Sequence, residues 1–153
     1  MAAHLQDQIL ASIKATIAAA GLVDVESVYL EGVDEIPTDA TPAIKIDCGP
    51  ETVDVLTLSF PRTLKRTLDI FVTAIVAQNA DYRVRAGQLL AGIERSLYGT
   101  PEARSADGVA PEGIRLIATD PDREGNAARV TYTIRTLWRI TYLGKEGAPD
   151  AVR

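Results

Sequence analysis

The 153-residue chain has one cysteine and one histidine, Cys48 and His4. A lone thiol excludes an intramolecular disulfide, and one His with one Cys cannot supply the usual zinc ligand sets. His4 has no second ligand or nucleophile near it in the sequence, so a His-dependent catalytic set is not in view. Cys48 has no cationic neighbour to lower its thiol pKa and reads as a small apolar residue at a strand end. There is no glycine-rich phosphate loop after a strand and no G-x-S-x-G elbow. A run of eighteen apolar residues is also missing, and the first residues lack the basic stretch of a signal peptide. The expectation is a soluble, unexported protein with no membrane partner, no metal and no cofactor.

Charge is scarce in one sign over part of the chain. Residues 1–61 carry 2 basic and 10 acidic side chains, a net of −8, whereas residues 62–153 carry 14 and 11, a net of +3. Such a dipolar chain suits stacking on copies of itself or on an oppositely charged partner. A nucleic-acid-binding domain is normally basic overall, so direct nucleic-acid binding is not expected.

What is present is a long period of two near the C-terminus. Over residues 129–142, Val130, Tyr132, Ile134, Trp138, Ile140 and Tyr142 share one parity, with Thr136 the only polar member. Thr131, Thr133, Arg135, Arg139 and Thr141 share the other. Alternation in β-branched and aromatic residues predicts a strand, and fourteen residues is far beyond the usual five or six. Arginines set among threonines make either a solvated sheet face or, because interfaces favour arginine, a contact in which Arg129, Arg135 and Arg139 meet carboxylates of a neighbouring subunit.

Taken in order, residues 4–20 predict an amphipathic helix through Leu5, Ile9, Ile13 and Ile17, with Gly21 as its stop. A short strand at 27–31 leads to a loop holding Asp34, Glu35 and Asp39, and a strand at 43–48 is expected to end at Gly49-Pro50. Segments 51–60 and 66–77 read as a hairpin joined across residues 61–65. The cations Arg62, Lys65 and Arg66 at that tip are the best candidates for facing an acidic partner. Asp81 is the expected N-cap of a second helix with Ala86, Leu89, Leu90, Ile93 and Leu97 on its apolar stripe. Residues 100–112 read as a mobile loop, 113–119 as a strand and 120–126 as a turn into the long strand. Asp120, Asp122, Glu124 and Gly125 resemble a calcium loop, but Thr131 stands where a bidentate glutamate is needed. The tail, 144–153, has no periodicity and is expected to be flexible.

These elements predict one α+β domain over residues 1–153: a mixed, largely antiparallel sheet with two helices on one face and a long C-terminal β-hairpin. The element order resembles the tail terminator proteins of long-tailed bacteriophages, the minor tail protein U type of lambda-like phages. So do Thr41-Pro-Ala-Ile-Lys-Ile46, Arg66-Thr-Leu-Asp-Ile-Phe-Val72, residues 86–97 and residues 132–150. The resemblance implies a non-enzymatic virion tail subunit, assembled in the host cytoplasm. It further implies a hexameric ring that closes the tail tube, stops tube-protein polymerisation and presents its other face to a head-completion or connector protein. A tail tube or head–tail connector subunit is the neighbouring reading. A small cofactor-free enzyme or ligand-binding domain using Asp34, Glu35 and Asp39 is the reading of a different class.

Overall fold

A computed structural model describes residues 4–31, 36, 40–99, 114–121 and 131–152. Asp34, Glu35, Asp39, the 100–112 loop, Asp122, Glu124, Gly125 and Arg129 therefore lie outside the described residues.

The first helix, α1, spans Leu5–Ala19 and buries Leu5, Ile9, Leu10, Ile13 and Ile17, the stripe its spacing predicts. His4 is its N-cap: Nδ1 accepts the backbone N–H of Gln6 at 3.2 Å, so the single imidazole serves the helix terminus. Gly21 ends the turn at φ 66, a left-handed conformation that favours glycine. A one-turn 3-10 helix, Val25–Ser27, leads to β1, Val28–Tyr29, which runs parallel to β2, Ala43–Val55.

Strand β2 does not stop at Gly49-Pro50. Cys48 pairs with Ile70 and Glu51 with Leu68, so three residues of β2 advance past two of β3, Thr63–Ala77, and the pair of turn-formers sits in a bulge within a continuing strand. Position 49 needs glycine for space: a Cβ there would lie 2.8 Å from the carbonyl oxygen of Asp69. Of the 51–60 segment expected as a separate strand, residues 51–55 are thus the second half of β2, and residues 56–60 belong to the turn between β2 and β3, which spans 56–62.

Helix α2, Tyr82–Gly99, starts where Asp81 is expected to cap it, with the Asp81 carbonyl accepting from Arg85 N at 3.1 Å. It is followed by β4, Ile114–Pro121, the long β5, Thr131–Lys145, and β6, Ala148–Val152. The tail expected to be flexible instead turns at Glu146-Gly147, with Gly147 at φ 81, and pairs back on β5 through Gly144 and Lys145. Its short, aperiodic sequence hid a strand that its neighbour supplies with hydrogen bonds.

Among the described residues the six strands form one sheet in the order β1-β2-β3-β5-β4, with β6 also on β5. Only the β1–β2 pairing is parallel. Strands β3 and β5 pair over their whole lengths, from Thr63 against Lys145 to Ala77 against Thr131. One face of this long ribbon carries Leu68, Ile70, Val72, Ala74, Ile134, Trp138, Ile140 and Tyr142 against α1 and α2, giving the α+β layer arrangement the sequence predicts.

Thr136, the polar break in the apolar parity of β5, is fully buried. Its hydroxyl donates to the Val72 carbonyl at 2.8 Å and accepts the Trp138 indole N–H at 2.8 Å. The interruption is an internal hydrogen-bond station, and it lets the largest core side chain be buried with its N–H satisfied.

Candidate functional site

Two regions hold the polar and apolar features that folding of the monomer leaves open. The first is the helix-free face of the sheet. Cross-strand pairing places Asp69, Phe71 and Thr73 of β3 against Arg139, Leu137 and Arg135 of β5 there. Asp69 accepts two hydrogen bonds from the Arg139 guanidinium, at 2.8 and 3.1 Å, which raise the pKa of Arg139 further. Arg135 lies 5.0 Å above the Phe71 ring and 3.9 Å from the Asp120 carboxylate.

Both arginines therefore find partners within the chain, which the sequence could not show without the strand register. Neither is withdrawn from solvent: the side chains are 44% and 56% exposed. Pairs in that setting are screened and contribute little to stability. Arg129, the third member of the expected arginine set, lies outside the described residues.

The second region is the hairpin end, where the β2–β3 turn and the β5–β6 turn lie side by side. They are joined by a hydrogen bond from Glu146 N to the Arg62 carbonyl at 2.9 Å and by an Arg62–Glu146 ion pair at 3.8 Å. The structure separates the three tip cations. Arg62 is exposed at the turn and Lys65 half-buried on the helix-free side. Arg66 has the opposite parity, beside Tyr142 and Val53, and points to the helix side of the sheet.

There Arg66 donates to Glu51 Oε2 at 2.9 Å, with the two side chains only 16% and 11% exposed. The other oxygen of the same carboxylate accepts the hydroxyl of the buried Tyr142. Arg66 is thus committed to a half-buried network, and its role as a partner-facing cation does not follow from this geometry. Nothing in the sequence singles out Glu51; only the sheet register, which sets it across Leu68 from Ile140 and so one same-face position from Tyr142, reveals it.

Burial, and then the hydrogen bond to the Glu51 carboxylate, push the Tyr142 phenol well above its usual pKa. The proton is held more tightly in the folded than in the unfolded chain, so this contribution to stability is complete below about pH 10 and declines as pH rises past that value. Urea melts between pH 8 and 11 should show a downward slope in wild type that Tyr142→Phe reduces. Equal slopes in both proteins would show that Tyr142 is not its source.

Cys48, near the same network, has a raised thiol pKa from burial and the carboxylates of Glu31 and Glu51, opposite to what a nucleophile requires. Among the described residues no group of three or more His, Cys, Asp and Glu side chains is arranged to hold a metal ion. No helix among them is long and apolar enough to cross a membrane.

An open cleft of ≈ 340 Å³ lies where α1 ends and β2 begins, walled by Leu22, Val23, Ala40 and Pro42 with Asp24 beside them. Among the described residues its lining holds one carboxylate, Asp24, with the hydroxyls of Ser27 and Thr41 and no histidine or lysine, so it offers shape and charge rather than a catalytic pair.

No family model matches the chain, and no curated protein matches it by sequence. Among solved structures, the fold is similar to a chain of the virion of a native gene transfer agent particle. The TM-score is 0.51 and the identity 16%, over 92% of this chain and 96% of that chain.

Proposed function

We propose that this protein is a structural subunit of a phage-type particle, a tail terminator that forms a ring on the end of the tail tube, stops tube polymerisation and presents its far face to a head-side connector protein. The observation that carries this reading is the shared fold with a virion chain over nearly the whole of both proteins. The ordered sequence pattern that resembles tail terminators supports it, and so does the uneven charge of the chain, −8 in residues 1–61 and +3 in the remainder. A ring needs two different complementary patches on every subunit, and a dipolar subunit provides them.

In this reading Arg135 and Arg139 exchange their screened partners for carboxylates of the adjacent copy, and Arg129 meets carboxylates of that copy as well. Arg62 and Lys65 at the hairpin end face an acidic partner. The subunit is non-enzymatic, acts in the virion tail and is assembled in the host cytoplasm, with neither membrane nor nucleic acid as a direct partner.

The neighbouring reading, a tube or connector subunit, is separated by negative-stain microscopy of the purified full chain. A terminator gives single closed rings, most simply hexamers, and Arg135→Glu with Arg139→Glu shifts them to smaller species in sedimentation. Filaments that lengthen with concentration identify a tube subunit instead. A solution of monomers at every concentration would remove the ring reading.

A further inference from the structure

Residues 55–61 carry no charged side chain, and they close the turn between β2 and β3. Leu58 is 95% exposed and Phe60 84%, while Val53, Val55 and Leu56 on the approach are about half exposed. Single exposed apolar residues are ordinary, but five within eight consecutive positions form a patch that marks an interaction site. The turn is tied at its base. Leu56 N donates to Thr63 O at 2.8 Å, Thr63 N to Thr57 Oγ1 at 2.8 Å, and Glu146 N to Arg62 O from the adjacent turn. A turn held in this way loses little conformational freedom on docking, which favours affinity.

The receiving surface is at the other end of the same molecule. Thr41 and Pro42 of the cleft lead straight into Ala43, which pairs with Ile75, whereas the knob follows Val55, which pairs with Leu64. Twelve steps of strand separate the two ends, roughly 40 Å at about 3.3 Å per residue. The lining is mixed: Leu22, Val23, Ala40 and Pro42 offer apolar contact to a leucine or aromatic side chain, while Asp24, Ser27 and Thr41 make the rest of it polar.

Charge is complementary as well. The cleft has Asp24 in its lining with Glu26 close by in the chain, and it adjoins the C-terminal end of α1, whose last turn holds no basic residue to offset the negative end of the helix dipole. Around the knob stand Arg62, Lys65 and Lys145 against Asp54 and Glu146.

We propose that Leu58 and Phe60 of one copy seat in the cleft of a second copy of this chain, with Arg62 drawn to Asp24 and the α1 terminus. Knob and cleft occupy opposite ends, so the contact is head-to-tail and closes into a ring when the rotation per copy divides a full turn. This rests on the ring-forming reading above and adds to its arginine contact a second contact between the same neighbours.

The test uses the full-length chain in sedimentation velocity and native mass measurements. Leu58→Ser with Phe60→Ser, and separately Asp24→Arg, should each weaken self-association at least tenfold with unchanged thermal melting, because all three side chains are exposed. Mixing those two variants should give a dimer and nothing larger, since each retains one competent end. Combining Arg62→Asp with Asp24→Arg should restore assembly. Rings formed by the Leu58/Phe60 variant as readily as by wild type would overturn the knob contact while leaving the terminator reading intact. A wild-type chain that forms no ring at all would overturn both.

Discussion

Replacing Trp138 with alanine is expected to cost about 4 kcal/mol, within the range for truncating a large buried aromatic side chain. Trp138 is fully buried in the middle of β5, its ring centroid is 5.4 Å from that of Tyr98, and its indole N–H donates to Thr136. Truncation removes the largest fully buried side chain of the core, opens a cavity between β5 and α2, and leaves the Thr136 hydroxyl without a donor. Against a total stability of about 5–15 kcal/mol this is a large fraction, so the variant should unfold at much lower urea concentration. The chain has one tryptophan, so the measurement is far-UV circular dichroism of the urea transition rather than intrinsic indole fluorescence. A loss below about 1 kcal/mol would show that α2 does not pack on this strand as described.

The second large effect is at the hairpin end. Glu51→Leu should destabilise the chain by about 3 kcal/mol, because it strands the Arg66 guanidinium and the Tyr142 hydroxyl in a largely desolvated place. Adding Arg66→Met removes the stranded charge, so the double variant should be more stable than Glu51→Leu alone. A double-mutant cycle read by urea melts gives the coupling directly. Losses that simply add would show that Glu51 and Arg66 do not act as a pair. The network ties β2, β3 and β5 together on the stretch of strand that leads to the exposed turn. Its loss should therefore also loosen residues 56–62 in hydrogen exchange.

Periodicity made both helices, β3 and the long strand legible, because each buries one face against the same core and each keeps its period to the end. The helix-free face was legible too, in the threonines and arginines of β5. Local chemistry misled at three places. Gly49-Pro50 reads as a turn, yet a bulge on an edge-side strand accepts both residues, since proline there has no ladder hydrogen bond to forfeit. Leu56, Leu58 and Phe60 read as strand residues with a basic tip after them, although they are the tip; alternation tells which residues share a face and not whether anything covers it. The C-terminal segment shows no period because β6 is only five residues long and takes its hydrogen bonds from β5.

The charged residues show the same limit in another form. Arg139 and Asp69 are seventy positions apart, and only the β3–β5 register brings them together. Arg66 is adjacent to Lys65 in sequence and on the opposite face of the sheet, so a cluster of three cations in the sequence becomes two at the surface and one in the interior. A charge run on a strand divides between two faces, and which face is the outer one is decided by the helices.

Capping is tested most directly by adding the purified chain, at a small fraction of the subunit concentration, to polymerising tube protein from the same particle and measuring tube lengths by electron microscopy. Tubes should become short, with one end closed by a ring, and the effect should saturate near one ring per tube. Tubes of unchanged length, or tubes into which this chain is incorporated along the wall, would contradict it.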